Sequence, residues 1–132
     1  DIVCTYTAPK KDLPALEGDG EKIRTVVFRL VENAIQYTKE KGVIGVKLSV
    51  KKDIVRFEVK DTGVGIPAAE QHRIFTRFFR ASNAVTMQQD AFGLGLFLAK
   101  HFIEQHKGKI GFESAEGKGS LFWFELPLKT NT

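Results

Sequence analysis

The chain has a single cysteine among its 132 residues, Cys4, so no disulfide can form within it. One lone thiol fits a reducing compartment. No apolar run approaches the roughly 20 residues that cross a bilayer, and the first residues show no signal-peptide pattern. There is one methionine, Met87, and the chain opens on Asp1, so it is read as an excised or processed piece of a longer protein. Nor is there a strong excess of one charge. Net charge is +4, and Lys and Arg are scattered, with pairs only at Lys10-Lys11 and Lys51-Lys52. No basic run alternates with aromatics, which argues against nucleic acid as a partner. Repeats and low-complexity segments are also missing. What is present is an ordinary globular balance, 42% hydrophobic and 27% charged, in a length that suits one domain. Eleven phenylalanines supply most of the bulky apolar surface.

Periodicity sets the coarse order. Residues 2–7 suit a short opening strand, and residues 9–18, with two prolines and a glycine, a loop. From Asp19 to about Lys41 the apolar residues Ile23, Val26, Val27, Leu30, Ala34 and Tyr37 fall at helical spacing. Asp19 is placed as the N-cap and Gly42 as the C-terminal stop. Residues 43–51 and 54–60 alternate in period two around a tight Lys52-Asp53 turn. Asp61 to Ile66 reads as a glycine-punctuated loop. Pro67 then opens a short helix carrying Ile74, Phe75, Phe78 and Phe79. Residues 81–91 are small and polar without a period. A helix from about Leu94 to Gln105 and strands near 109–114 and 120–128 close the chain. Hairpin-linked strands with few helices predict a two-layer α/β sandwich (α+β): a mixed, mostly antiparallel sheet of about five strands with three helices on one face.

Four constellations can carry chemistry. Arg29, Asn33 and Gln36 lie at i, i+4 and i+7 and share one helix face. The Asn33 amide oxygen suits a hard cation such as Mg²⁺, although an exposed face of a surface helix gives the same pattern. Asp61, at the end of an apolar strand and followed by Gly63 and Gly65, can accept from an exocyclic amine while the glycines let backbone approach a flat ligand. An ordinary turn reads the same way. Gly93, Leu94, Gly95 and Leu96 open a helix, where free backbone N–H groups favour phosphate. Arg77 or Arg80, beside Phe75, Phe78 and Phe79, can reach a phosphate, or be plain surface arginines next to a core stripe. His72, His101 and His106 lack partners at metal-binding spacing.

The order of these pieces resembles the N, G1, F, G2 and G3 boxes of the histidine-kinase ATP-binding domain. They are Glu32-Asn33-Ala34-Ile35-Gln36-Tyr37-Thr38, then Asp61-x-Gly63-x-Gly65-Ile66-Pro67, then Ile74-Phe75-x-x-Phe78-Phe79-Arg80. Gly93-Leu94-Gly95-Leu96 and Glu116-Gly117-Lys118-Gly119-Ser120 follow. The resemblance runs from about residue 15 to 128 and extends to the superfamily shared with DNA gyrase, mismatch-repair ATPases and heat-shock chaperones. It implies a Bergerat-type sandwich forming one domain over residues 1–132, with a lid at about 81–92. It implies ATP and Mg²⁺ as ligands. Asn33 would hold the metal and, with Arg80, serve the reaction. Asp61 would take the adenine amino group, with Gly63, Gly65 and Ile66 shaping its pocket and Ser120 closing one side. Gln36, Tyr37 and Arg80 would lie near ribose or phosphates, and Gly93, Leu94, Gly95 and Leu96 would give backbone contacts to phosphate.

The implied reaction is transfer of the γ-phosphoryl group to a histidine on the parent protein's own upstream phosphoacceptor and dimerisation domain, with a cognate response regulator served indirectly. The implied setting is the cytoplasmic part of a sensor that meets the membrane only through the rest of its chain. Three positions depart from the pattern. Arg29 stands where many such kinases have Asn and the hydrolytic cousins a water-activating Glu, a base Arg cannot replace. Gln36 replaces a frequent Lys or Arg, a loss of about 1 kcal/mol of charge assistance. Ala91 stands where glycine is common. These departures leave open a nucleotide-sensing or scaffold module and an anti-sigma-factor-like serine kinase of the same fold.

Overall fold

A computed structural model describes residues 2–8, 18–76 and 95–128. Strand β1 (Val3–Thr7) precedes helix α1 (Gly20–Tyr37), strands β2 (Val43–Lys51) and β3 (Ile54–Asp61), and a short 3-10 helix over Ala68–Arg73. Helix α2 (Gly95–Gln105) and strands β4 (Lys109–Ala115) and β5 (Gly119–Pro127) complete the order. The five strands form one sheet in the order β1-β2-β3-β5-β4. Only β1 and β2 are parallel; the other three pairs are antiparallel. The two-residue turn after Lys51, with Lys52 at φ 54°, sets the β2–β3 register, Lys51 opposite Ile54.

Period-two alternation puts Val55, Phe57, Val59 and Asp61 of β3, with Phe122, Phe124 and Leu126 of β5, on the buried face. Val26, Leu30 and Ala34 of α1 and Ala99 and Ile103 of α2 meet them in one core. Each large apolar side chain buried there is worth about 1.5–3 kcal/mol. Stacked rings, Phe57 on Phe124 and Phe112 on Phe122, tie neighbouring strands within it. The sandwich is as predicted, and among the described residues its helices are two α-helices and a short one after Pro67, which is 3-10.

Several boundaries differ from the sequence expectation. Helix α1 stops at Tyr37, not near Lys41, and Gly42 is not its stop. A further helical turn would need the Tyr37 carbonyl for Lys41, but it accepts from the Val64 N–H at 2.9 Å. Thr38 caps instead in an extended conformation, its hydroxyl bonded back to the Ala34 carbonyl at 2.6 Å. Asp61 is the last residue of β3 rather than the first of a loop, because Ser120 of β5 still pairs with it. Ile74 closes the 3-10 helix and Phe75 lies just past it. Phe78, Phe79, Arg77, Arg80, Ala91, Gly93, Leu94 and the lid expected at 81–92 fall outside the described residues.

Candidate active site

The site grows from the end of β3. Register sets Asp61 between Ile44 of β2 and Ser120 of β5, and only 2% of its surface is exposed. Its Oδ1 accepts from the backbone N–H groups of Gly63 at 2.9 Å and Ser120 at 3.2 Å. Its Oδ2 is buried and has no hydrogen-bond partner among the described residues. Burial pushes this carboxyl above its ordinary value, and the Gly63 and Ser120 N–H groups pull only part of the way back. A buried acceptor left unmatched costs about 1–3 kcal/mol. The arrangement therefore holds one oxygen rigidly and keeps the other for a donor from outside.

The glycine segment after Asp61 is wedged against two other elements. A Cβ on Gly63 would sit 2.0 Å from the Tyr37 carbonyl oxygen, and one on Gly65, at φ +70°, 2.1 Å from the carbonyl oxygen of Ala115. Only glycine permits both approaches. The segment is bonded on both sides, Val64 N–H to Tyr37 and Gly117 N–H to the Val64 carbonyl at 2.7 Å.

Ile66, fully buried, donates its N–H to the Ser114 hydroxyl at 2.8 Å, and that oxygen lies 2.7 Å from the Ser120 hydroxyl. Gln71 clamps the carbonyls of Ile66 and Ser114, each at 3.0 Å. Sequence reasoning missed Ser114 and Gln71. The alternation Ile110, Phe112, Ser114 did hold a signal: a hydroxyl ending the inward-facing row of β4 beside Ser120.

The second wall is α1. Asn33 and Gln36 are 7% and 8% exposed, so this stripe is not the solvated face of a surface helix. The Asn33 Nδ2 is buried with no partner among the described residues, and so is the Arg29 Nε, while Arg29 Nη1 holds Glu32 at 3.3 Å. The start of α1 is tied to the end of α2. His106 Nε2 accepts from the Asp19 N–H at 2.9 Å and Lys22 Nζ reaches the Gln105 side chain at 3.3 Å. The helices therefore lie side by side in opposite directions, which sets the start of α2 toward the Asn33 end of α1. There Gly95 is buried and Leu96 packs on the core. Asp61, Gly63 and Ser120 thus touch directly, Tyr37 joins through Val64 and Ile66 through Ser114, and Asn33 and Gln36 stand on the helix that ends at Tyr37.

A sequence profile described as histidine kinase-, DNA gyrase B- and HSP90-like ATPase matches residues 18–130. The chain belongs to this ATPase family. Within it, the similarity is to sensor kinases. The adaptive-response sensory kinase SasA of Synechococcus sp. (strain JA-3-3Ab) is 43% identical over 118 residues, 89% of this chain and 31% of that protein. The mycobacterial sensor histidine kinase MprB superposes with a TM-score of 0.82 at 27% identity, covering 96% of this chain and 83% of that one. Full-length ShkA, in complex with AMPPNP, gives 0.79 at 30% identity, covering 98% of this chain and 26% of that one. The fold is thus the Bergerat sandwich of histidine-kinase catalytic domains, and the chain is an ATP-binding domain of that kinase type. It spans less than a third of its curated relative, SasA.

Proposed function

We propose that this kinase domain holds the adenine of ATP at Asp61 and passes the γ-phosphoryl group to a histidine on a separate phosphoacceptor and dimerisation domain. One observation carries the reading: the Asp61 carboxylate is fixed by Gly63 and Ser120 through one oxygen and keeps the other, buried, for a donor. An exocyclic amine supplies that donor, and a carboxylate accepts it more strongly than a neutral group would. Gly63 and Gly65 let the segment close against the Tyr37 and Ala115 carbonyls and so shape the adenine pocket, which Ile66 and Ser120 would complete. Gln36, Tyr37 and Arg80 would serve the ribose and phosphates, and Gly93, Leu94, Gly95 and Leu96 would give backbone contacts to phosphate.

The α1 face also suits Mg²⁺. Among the described residues no three His, Cys, Asp or Glu side chains group to hold a metal. The buried Asn33 amide, with an atom unmatched among the described residues, fits an ion that takes most of its shell from phosphate oxygens and water. Asn amide O and N are interchangeable by rotation, so the unmatched position can present oxygen. Bound there, the ion would neutralise charge on the phosphates. The residues' own part is positioning: Asn33 and Arg80 orient the γ-phosphoryl group in line with the incoming imidazole nitrogen, and ADP leaves.

A cognate response regulator would then receive the group from the phosphohistidine. The name of the sensor histidine kinase MprB supports a histidine over a serine acceptor, and Arg29 in place of an acid disfavours water activation. No helix among the described residues is long and apolar enough to cross a membrane. By its likeness to sensor kinases, the domain is proposed to belong to the cytoplasmic part of a membrane-bound sensor.

Calorimetric titration of this chain with ATP and Mg²⁺ tests the first half, with binding in the micromolar range or weaker expected. No heat with ATP, ADP or AMPPNP would sink it. For the second half, a histidine-bearing hairpin domain is added with labelled ATP. Acid-labile label on histidine is expected; acid-stable label would move the acceptor to serine.

A further inference from the structure

Helix α1 carries three cations, and among them Arg29 keeps a buried donor unmatched by the described residues. Lys22 is engaged by Gln105 and lies over the Phe102 ring. Arg24 pairs with Glu21 at the exposed surface. Arg29 is half-buried, gives only Nη1 to Glu32, and keeps a buried Nε without a partner among the described residues. It stands one turn before Asn33, whose Nδ2 is unmatched in the same way, about 6 Å along the axis. Two buried polar atoms left unmatched on one helix face, at Asn33 and Arg29, with a neutral amide at Gln36 beyond them, put the only cation of the row at the Arg29 end.

We infer that Arg29 binds the terminal phosphoryl group of the nucleotide, supplying the cationic charge that Gln36 does not. This rests on the nucleotide reading above. Adenine at Asp61 fixes the base at the sheet end, the Asn33 level takes the middle of the polyphosphate chain, and Arg29 is the next position away from Tyr37. Glu32 plays two parts: its carboxylate steadies the guanidinium, and its negative charge opposes the anion. Arg29 is thereby a selector between tri- and diphosphate, by the presence of the last phosphoryl group.

The test measures ATP and ADP binding to the wild type and to Arg29→Gln, Arg29→Lys and Glu32→Gln, with thermal unfolding to check each fold. Arg29→Gln should weaken ATP about tenfold and ADP less than about twofold, the loss of one charge-assisted contact. Arg29→Lys, which keeps the charge without the fork, should fall between. Glu32→Gln should tighten ATP by roughly twofold. Equal losses for ATP and ADP would make Arg29 a mere packing residue of α1, and an unchanged ATP affinity would remove it from the site. Should Arg29→Gln fail to fold, the ATP-to-ADP ratio of Arg29→Lys decides, an unchanged ratio overturning the inference. Those outcomes leave the nucleotide reading standing; a wild type that binds neither nucleotide sinks both.

Discussion

The Asp61 end of the site and the Arg29–Asn33–Gln36 face of α1 are both polar and both shielded from solvent, yet they are held differently. At Asp61 the backbone does the holding. Two N–H groups fix the carboxylate, and the glycine segment is pinned between the Tyr37 carbonyl and the turn after β4. On α1 the side chains project from a regular helix whose position depends on how its start is tied to the end of α2. The lesson is a division of labour. The rigid end of the central strand would select a flat ligand by shape and by one unmatched acceptor. A helix face would meet a flexible anion with side chains that can adjust.

The largest expected effect breaks the rigid end. Gly63→Ala drives a methyl into the Tyr37 carbonyl and should cost about 3 kcal/mol or more of stability, read from urea unfolding. A loss near that of an ordinary helix glycine would mean the segment can shift, and the contrast with α1 would weaken.

Next is Asp61→Asn, which should lower ATP affinity at least about a hundredfold, because the unmatched acceptor becomes a donor. Its stability should move the other way. The carboxyl is raised by burial, so its stabilising contribution is complete below the unfolded value near 3.9 and is lost as pH rises through the folded value. At pH 7 the wild type therefore carries a buried charge that the variant does not. Asp61→Asn should match or exceed the wild type in urea at pH 7, with the margin shrinking at pH 4. A variant that is equally destabilised at both would show the carboxylate to be structural.

The smallest effect sharpens the α1 side. His106→Ala removes the acceptor for the Asp19 N–H and the tie to α2, at about 1–2 kcal/mol. If positions on α1 depend on that tie, ATP affinity should drop while adenosine affinity holds.

Much of the fold was legible. The strands over 43–51 and 54–60 and the core face of α1 follow from periods of two and 3.6, because burial acts on whichever side chains share a face. The end of α1 was not legible. Thr38 caps it locally, but the Tyr37 carbonyl that a further turn needs is taken by Val64, 27 positions away. Asp61 was legible as a candidate through its glycines, but its burial and its one free oxygen depend on β5 arriving with Ser120 opposite. Ser114 and Gln71 went unnoticed for the same reason: their partners are 48 and 43 positions distant.

By itself, the sequence determined which residue types sit at which spacing: an amide one helical turn from an arginine, a carboxylate before two glycines, an apolar stripe for each element. These are consequences of local geometry, which repeats along the chain. The tertiary structure alone decided which polar atoms are satisfied and which are left over. That accounting needs every neighbour in place, since a buried donor or acceptor is free only when no other part of the chain reaches it. The atoms left over among the described residues, Asp61 Oδ2, Asn33 Nδ2 and Arg29 Nε, are the ones on which the site's chemistry is proposed to turn.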